Sequence, residues 1–229
     1  MSFCEPQAFA EEDRLFILTL ADQCAQALER ARLYQAVQRE RDAAVAAQHR
    51  LAFLAEASAL LAASADPCTK LDQIAWLTVP KLADICMILL AEDGVLRPAA
   101  LAYRDQAVAE PLEQILRDYP ASVEAGGRFG DVLRTGKARL INDVTEEVLL
   151  AAAEDATHLR LLRRIDTTST VLVPLRGRSD RLGLIAFLRR GDSPPYTQAD
   201  LSLVKDLVAR TGIALDNARI DNARIDSVS

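Results

Sequence analysis

The residues best suited to metal binding or redox chemistry are the four cysteines and two histidines of this 229-residue chain. They are Cys4, Cys24, Cys68, Cys86, His49 and His158. No two cysteines form a CxxC pair, and no histidine lies near a cysteine at the spacing of a metal site. Cys24 lies on a helical stripe and Cys86 in an apolar run, where a free thiol behaves as a small hydrophobic group. We therefore predict reduced thiols and no metal centre.

Paired carboxylates are the second group that could do chemistry. They occur as Glu92-Asp93, Glu146-Glu147 and Glu154-Asp155, in turns or at predicted helix starts, where the helix dipole favours negative charge. The sequence contains no Walker loop, no Gly-x-Ser-x-Gly elbow and no His-Glu-x-x-His motif. We therefore predict that the chain is not an enzyme.

The arginines form two local clusters, which a solvated helix face and a charged hairpin explain. The clusters are Arg160, Arg163, Arg164 and Arg176, Arg178, Arg181. A net charge of −6 disfavours a nucleic-acid partner, because such binding requires a basic face. No apolar run approaches the roughly 20 residues of a membrane span. Met1 is not followed by a signal-peptide pattern. These features predict a cytoplasmic protein without membrane insertion.

One stretch of the sequence occurs twice. Copy 1 (residues 9–34) reads FAEEDRLFILTLADQCAQALERARLY, and copy 2 (residues 196–221) reads YTQADLSLVKDLVARTGIALDNARID. Without gaps, the copies match at Asp13/Asp200, Leu20/Leu207, Ala27/Ala214, Leu28/Leu215, Ala31/Ala218 and Arg32/Arg219. Copy 2 closes a predicted domain of strands and helices. We expect that copy 1 closes another module, which this sequence does not include.

Copy 1 continues into a long predicted helix from Asp13 to about Ala63, without proline or glycine and rich in helix-forming residues. Apolar and small residues recur there at the spacing of a coiled-coil seam. The first stripe is Ile17, Leu20, Cys24, Ala27, Ala31 and Tyr34; the second is Ala44, Ala47, Leu51, Leu54, Ser58 and Leu61. Two chains side by side would bury such stripes. A helix folded back on its own domain is the alternative for residues 51–61.

Beyond Ala63 the sequence predicts a domain of strands and helices. Asp66 and Pro67 are typical of the cap and first turn of a helix that ends near Leu82. Strands are predicted at 84–91, 95–103, 138–143, 168–176 and 182–189, with residues 178–180 in the last turn. Helices are predicted at 105–119, before Gly136 as C-cap, and after Thr145 as N-cap. The helix after Thr145 has an apolar side formed by Val148, Leu149, Leu159 and Leu162. This alternation predicts an α+β fold: an antiparallel sheet with helices on both faces.

Motifs within these elements resemble the GAF domain family. They are Val79-Pro-Lys-Leu-Ala-Asp84, Val132-Leu-Arg-Thr-Gly136, Val173-Pro-Leu175, Leu182-Gly183, and Tyr196 followed by the helix of copy 2. The resemblance covers about 51–220, and copy 1 resembles the terminal helix of another GAF domain. It is closest to GAF modules of bacterial multidomain sensors that precede a histidine-kinase or serine-phosphatase domain. We therefore assign residues 1–50 to a terminal helix and connector, and residues 51–225 to a GAF domain.

The resemblance implies a sheet of five or six strands, a dimer interface on the face of the first and last helices, and a small-molecule pocket on the other face. The expected pocket residues are Ile141, Asp143, Val144, Leu149, Leu159, Leu162, Arg164 and Ser169. The expected homodimer interface is Ile17, Leu20, Cys24, Ala27, Ala31, Tyr34, Leu207, Leu215 and Ala218. Arg164 or Arg160 would supply a charge for an anionic ligand.

The residues disfavour the cofactors of several GAF relatives. Cyclic-nucleotide binders use a dispersed Asn-Lys-Phe-Asp-Glu set, of which this sequence offers Asn142 and Asp143. Bilin binders attach their chromophore through a cysteine followed by histidine, which this chain lacks. The sulfoxide-reductase branch needs cysteines in the loop at 126–130, which has none. His158 is the one candidate haem ligand over the pocket face, and we interpret it as a partly exposed surface residue. We predict no tightly bound cofactor.

Three functional hypotheses remain open on the sequence. The first is a non-catalytic sensory module that binds a small molecule or a partner domain and signals through a dimeric helical connector to an output kinase or phosphatase domain. The second is a degenerate GAF domain that serves as a dimerisation spacer. The third is a haem or redox GAF domain. The ligand, the output domain and the direction of the signal are not encoded in any motif.

Overall fold

The computed structural model describes residues 11–64, 66–123, 127–177 and 181–226. The helices are α1 Glu11–Ala63, α2 Pro67–Thr78, α3 Ala109–Asp118, α4 Arg128–Thr135, α5 Glu146–Ala152, α6 Ala156–Ile165 and α7 Gln198–Asp226, with a short 3-10 helix at Gln106–Val108. The strands are β1 Ile85–Glu92, β2 Val95–Tyr103, β3 Arg139–Ile141, β4 Thr167–Arg176 and β5 Arg181–Arg190. Cys4, Phe9 and the predicted turn at 178–180 lie outside the described residues.

The chain divides into two compact units, Met1–Ala52 and Phe53–Ser229. Within its described residues, the first unit is the N-terminal part of α1. The second unit contains the end of α1 and all other elements. α1 is therefore one helix that belongs to both units.

The strands form one five-stranded sheet in the order β2-β1-β5-β4-β3. Every neighbouring pair is antiparallel, from Ile85 opposite Tyr103 in β1 and β2 to Ile141 opposite Thr170 in β3 and β4. β2 and β3 are the edge strands. Helices cover both faces, so the predicted α+β fold with an antiparallel sheet and a long N-terminal helix is confirmed.

Alternation along the strands separates two apolar cores. On the first face, Cys86, Ile88, Val171 and Phe187 pack with α2, α7 and residues 53–61 of α1. We call this the α7 face. On the opposite face, the alternate strand residues pack with α3, α4 and the end of α6, and we call it the α3 face. Each face is therefore covered by helices from different parts of the sequence.

The predicted helix signals hold at two ends and fail at one. The Asp66 carboxylate accepts the Thr69 backbone N–H at 2.8 Å, as an N-cap should. Gly136 ends α4 in the left-handed conformation, with φ of 64°. However, α2 ends at Thr78 rather than near Leu82, because Pro80 has no N–H with which to continue the helical ladder.

The single helix predicted after Thr145 is wrong, because the chain forms two helices there. α5 ends at Ala152, and Asp155 caps α6 by accepting the backbone N–H groups of Thr157 and His158. The Thr145 side chain makes no capping hydrogen bond. The break restarts the helical phase, so Leu159 and Leu162 do not continue the stripe of Val148 and Leu149. The buried side chains of α6 are His158, Leu161 and Ile165.

Candidate functional site

The segment between β3 and α6 is where we expected a ligand pocket, and it contains the short helix α5. None of the residues of α5 is buried; Val148 and Leu149 are half-buried. The helix is fixed mainly by polar contacts: Arg128 donates to the Val148 carbonyl at 2.7 Å, and Arg163 pairs with Glu146. We call residues 144–152 the α5 cover. Because it contributes little to either apolar core, it is the part of this face that can open at least cost.

A cluster of Tyr119, Asp155 and His158 joins the end of α3 to the start of α6. The Tyr119 hydroxyl donates to the Asp155 carboxylate at 3.0 Å. The Tyr119 and His158 rings stack with centroids 4.2 Å apart and an angle of 16°. The Glu154 backbone N–H donates to Nδ1 of His158 at 3.3 Å. These contacts make the cluster a rigid support beside the α5 cover.

The titration behaviour of the cluster follows from these contacts. Burial lowers the pKa of His158, although Glu154 and Asp155 oppose this shift. The pKa of Asp155 is lowered chiefly by the backbone hydrogen bond from His158. His158 is only 7% exposed, so the interpretation as a partly exposed surface residue is wrong. The reason is the stacking on Tyr119, which no sequence pattern indicated. Because Nδ1 accepts the Glu154 backbone N–H and the ring stacks on Tyr119, we interpret His158 as a structural residue.

The arginines of α6 bind neighbouring carboxylates and hydroxyls. Arg164 pairs with Glu110 of α3 at 2.8 Å, and Arg160 donates to Thr157 at 2.9 Å. Arg164 is exposed on the surface side of α6. An anionic ligand would have to displace Glu110 to use this charge.

The structure divides the eight predicted pocket residues into three groups. Those that are half-buried are Ile141, Val144, Leu149, Leu159 and Leu162. Asp143 and Arg164 are exposed. Ser169 is buried on the α7 face, where its hydroxyl donates to Asn142 and accepts the Tyr196 backbone N–H at 3.2 Å. Its inclusion in the pocket is therefore corrected: Ser169 has the strand parity of Val171, which faces away from the α3 face.

Two open concavities among the described residues lie elsewhere. The first, of about 210 Å³, is lined by Asp84, Arg104, Asp105, Asp166, Arg190, Gly191 and Ser193. Asp84 accepts from the Arg190 N–H and the Ser193 hydroxyl there, and Arg190 pairs with Asp105, so these charges are used within the fold. The second, of about 270 Å³, is lined by Asp131, Val132, Arg134, Thr135, Lys137, Ala138 and Arg139. None of the eight predicted pocket residues lines either one.

The ranges that the structure describes contain no group of three or more His, Cys, Asp or Glu side chains suited to a metal ion. Burial raises the pKa of the Cys86 thiol to about 12, so this thiol is protonated at neutral pH. Cys24 and Cys68 are exposed. In the same described ranges, no helix has the length and apolar character needed to cross a membrane.

Copy 2 is fixed to the α7 face by an aromatic residue and an ion pair. Tyr196 is 2% exposed, and the Arg189 guanidinium lies 4.0 Å from its ring centroid. Arg189 also pairs with Asp200 at 3.5 Å. Burial raises the pKa of Tyr196, whose hydroxyl has no hydrogen-bond partner among the described residues. The aromatic residue and the aspartate four positions later occur in both copies, which is the sequence signal for this arrangement.

The nine predicted dimer residues fall into two groups. Leu207, Leu215 and Ala218 of α7 are at most 5% exposed and pack within this chain. Their assignment to a dimer interface is therefore corrected, since the chain's own α7 face covers them. The six on α1 (Ile17, Leu20, Cys24, Ala27, Ala31 and Tyr34) are exposed. Dimerisation along these six stays a prediction.

The second predicted stripe on α1 also belongs largely to this chain's own domain. Leu54 and Leu61 are each 5% exposed and lie in the core of the α7 face. Leu51, by contrast, is 68% exposed. The alternative of a helix folded back on its own domain is therefore right from residue 53 onward.

Comparisons with known proteins agree with this architecture. The profile of the GAF domain matches residues 66–215, more than half of the chain. No curated protein sequence matches. A solved GAF domain of a phosphoenolpyruvate-protein phosphotransferase from Coxiella burnetii is 14% identical, with a TM-score of 0.60 over 77% of this chain and 98% of that chain. The corresponding Acinetobacter domain is also 14% identical, with a TM-score of 0.57 over 75% and 95% of the two chains.

The second GAF domain of DevS from Mycobacterium smegmatis is similar as well. It is 15% identical, with a TM-score of 0.51 over 69% of this chain and 99% of that chain. At these identities the structural likeness establishes the fold alone. Together with the family profile, the five-stranded sheet and its two helical faces show that this chain belongs to the GAF domain family.

Proposed function

We propose that this chain is a non-catalytic regulatory module that senses a small molecule on the α3 face and passes the change to neighbouring domains through α1 and α7. GAF domains are sensory and regulatory modules, but one fold hosts many functions, so the proposal rests on the site. The observation that supports it is the difference between the helices that cover the two faces of the sheet. The terminal helices pack together on the α7 face, and the α3 face has a loosely held cover.

The proposed ligand site lies beneath the α5 cover, beside Ile141, Val144 and Leu149. These side chains are half-buried, so they offer apolar contact without belonging to the packed core. Opening the cover would break the ion pair between Arg163 and Glu146 and the hydrogen bond from Arg128 to Val148, which are exposed or partly buried polar contacts. Exposed ion pairs contribute about 0–1 kcal/mol. A ligand can therefore shift the cover with a modest difference in affinity between its two positions.

Transmission would follow the strands that both faces share. β4 presents Leu172 to the α3 face and Val171 to the α7 face, where α7 packs. A shift of β4 under a ligand is felt by α7, because packed interiors deform little. The output domain that receives the signal, and a homodimer along the connector, remain predictions from the sequence.

A second candidate function is a spacer without ligand. The specific observation in its favour is that none of the eight predicted pocket residues lines either of the two open concavities described above. In that case the domain would hold α1 and α7 at a fixed distance and sense nothing.

Ligand retention separates these two functions. The purified chain is denatured and the released small molecules are identified by mass spectrometry, and a metabolite panel is screened by thermal shift. The regulatory proposal expects a released or stabilising compound that protects amides of residues 146–152 from hydrogen exchange. An empty protein with no stabilising compound in the panel would favour the spacer.

Two neighbouring arginines give a matched control for the role of the cover. Arg163→Gln removes the ion pair with Glu146 of the cover, whereas Arg164→Gln removes the pair with Glu110 of α3. The proposal expects Arg163→Gln, but not Arg164→Gln, to speed exchange at residues 146–152 and to change the affinity of the identified compound. Equal effects of the two substitutions would contradict the assignment of the cover.

A further inference from the structure

We propose that the exposed apolar stripe on the first part of α1 is a docking face for the β-sheet of another GAF-type module. The inference extends the proposed function by naming a partner surface. It depends on the family assignment and does not depend on ligand binding.

The buried residues of copy 2 show which positions of the repeated sequence face a sheet. The buried positions of α7 are Val204, Leu207, Val208, Thr211, Gly212, Leu215 and Ala218. Their equivalents in copy 1 are Ile17, Leu20, Ala21, Cys24, Ala25, Leu28 and Ala31. Every one of these is apolar or small and exposed in this chain. The chain therefore carries the same apolar helix surface twice, covered on α7 and exposed on α1.

The opposite side of the helix gives the complementary result. Within residues 201–218, the exposed positions of α7 are Lys205, Asp206, Ala209, Arg210, Ile213 and Asn217. Copy 1 has Leu18, Thr19, Asp22, Gln23, Gln26 and Arg30 at these places. With the exception of Leu18 they are polar. Copy 1 thus keeps a solvent-facing side where copy 2 has one, as expected for a helix that lies on a sheet.

Small residues in the middle of both stripes indicate a close approach to a flat surface. In copy 2, a Cβ at Gly212 would lie 2.0 Å from the Arg176 carbonyl oxygen of β4. Copy 1 has Ala25 at this position, flanked by Ala21 and Cys24. The partner sheet must therefore lie somewhat farther from Ala25 than β4 lies from Gly212, yet still close enough for small side chains to contact it.

The residue types that fix copy 2 to its sheet also recur in the sequence of copy 1. In copy 2, Asp200 pairs with Arg189 of β5, and the same Arg189 covers the ring of Tyr196. Copy 1 keeps an aspartate, Asp13, and an aromatic residue, Phe9, at the equivalent sequence positions. Phenylalanine lacks the hydroxyl that is buried without a partner in Tyr196.

A second copy of the chain fits the stripe less well. A coiled-coil seam would use Ala27 and Tyr34, whereas the sheet-facing surface uses Ala21 and Leu28 instead. Leu28 is 61% exposed and lies outside the seam. In copy 2 its equivalent, Leu215, is buried against this chain's own domain. The stripe is wider than a seam, and its centre is small rather than branched.

The sheet of this chain serves as the probe for the first test. The triple variant Val204→Ile, Val208→Ala, Thr211→Cys gives α7 the sheet-facing side chains of copy 1, with Gly212 retained. We expect one cooperative unfolding transition, with Tm lowered by roughly 5–15 °C because Val208→Ala removes buried methyl groups. The control is the variant Val204→Leu, Val208→Asp, Thr211→Ala. It carries the copy 1 residues that lie one position later in the sequence (Leu18, Asp22 and Ala25), and it should abolish cooperative unfolding. Equal loss in both variants would overturn the proposal.

The second test uses the intact chain and addresses the rival partner. Sedimentation velocity is compared for the wild type, Tyr34→Lys and Leu28→Lys at tens of micromolar. We expect the three proteins to have the same oligomeric state, because the stripe binds a different module rather than a second copy of this chain. A dimer that Tyr34→Lys dissociates and Leu28→Lys does not would show a coiled-coil seam and overturn the proposal. Neither test measures ligand retention, so failure of the regulatory proposal would be seen separately.

Discussion

Copy 1 and copy 2 are two regions of one molecule with the same helical pattern and opposite surroundings. In α7 the shared leucine Leu207 is fully buried, whereas its equivalent Leu20 on α1 is 51% exposed. Leu215 and Leu28 differ in the same way, at 4% and 61% exposure. An apolar stripe at 3–4 spacing therefore identifies a helix face suited to burial, but it does not identify what covers that face. A sheet and a second helix select similar stripes.

The largest expected difference is between Leu207→Asp and Leu20→Asp. An aspartate at Leu207 would be buried in the core of the α7 face without a partner, which costs more than about 4 kcal/mol and should prevent folding. An aspartate at Leu20 should change the unfolding free energy of the domain by no more than about 0.5 kcal/mol, because the position is exposed. Chemical denaturation of both variants measures this. Similar losses would mean that copy 1 is already covered in this chain.

A smaller difference is expected between the two positions where one copy has glycine and the other alanine. Gly212→Ala should destabilise the domain by about 1–3 kcal/mol, because the new Cβ would collide with the Arg176 carbonyl. Ala25→Gly should lower local helix content at a cost of about 1 kcal/mol and leave the unfolding of the domain unchanged. Thermal unfolding and circular dichroism separate the two effects. A neutral Gly212→Ala would show that α7 lies farther from β4 than described.

Thiol labelling compares the accessibility of one pair of equivalent positions in the two copies. Cys24 is exposed, and its equivalent Thr211 is fully buried. In the variant Thr211→Cys, we expect labelling at position 211 to be at least roughly 100-fold slower than at Cys24, because it requires local opening. Cys86, buried with a raised pKa, should react slowly as well and serves as the internal control. Peptide mass spectrometry after timed labelling gives the three rates. Equal rates at 24 and 211 would remove the difference between the copies.

The smallest expected effect is a pH dependence on the other face of the sheet. The pKa of His158 is lowered in the fold, so the unfolded chain takes up a proton first as pH falls below about 6.5. The stability contributed by neutral His158 is therefore complete above this pH and decreases below it. We expect Tm to fall more between pH 7.5 and 5.5 in the wild type than in His158→Gln. Hydrogen exchange in copy 2 should follow this titration, because it requires opening of the domain, whereas exchange in the uncovered helix of copy 1 should not.

Much of the fold was predictable because strands and caps are encoded locally. The pattern at 95–103 predicted β2 with its observed ends, and Asp66 and Gly136 marked helix ends through their own backbone preferences. The break between α5 and α6 was not predicted. It depends on the Asp155 side chain reaching the start of α6 and the Tyr119 hydroxyl, and Tyr119 is 36 residues away.

The site was less predictable than the fold for the same physical reason. Ser169 lies on the α7 face because it has the strand parity of Val171, and the core that this parity faces depends on the pairing of β4 with β5. The role of Arg189 arises from contacts with Tyr196 and Asp200 that only the folded chain brings together. Local sequence could identify Leu207 as a buried type of position, but it could not assign the covering surface to this chain's own sheet.

Hydrogen exchange of the intact chain reports in one experiment whether copy 2 is covered and copy 1 is not. Amides of residues 204–218 are followed together with those of residues 17–31. We expect 204–218 to exchange only through opening of the domain, and 17–31 to exchange orders of magnitude faster as part of an uncovered helix. Protection of 17–31 equal to that of 204–218 would contradict this expectation, since copy 1 would then already have a partner.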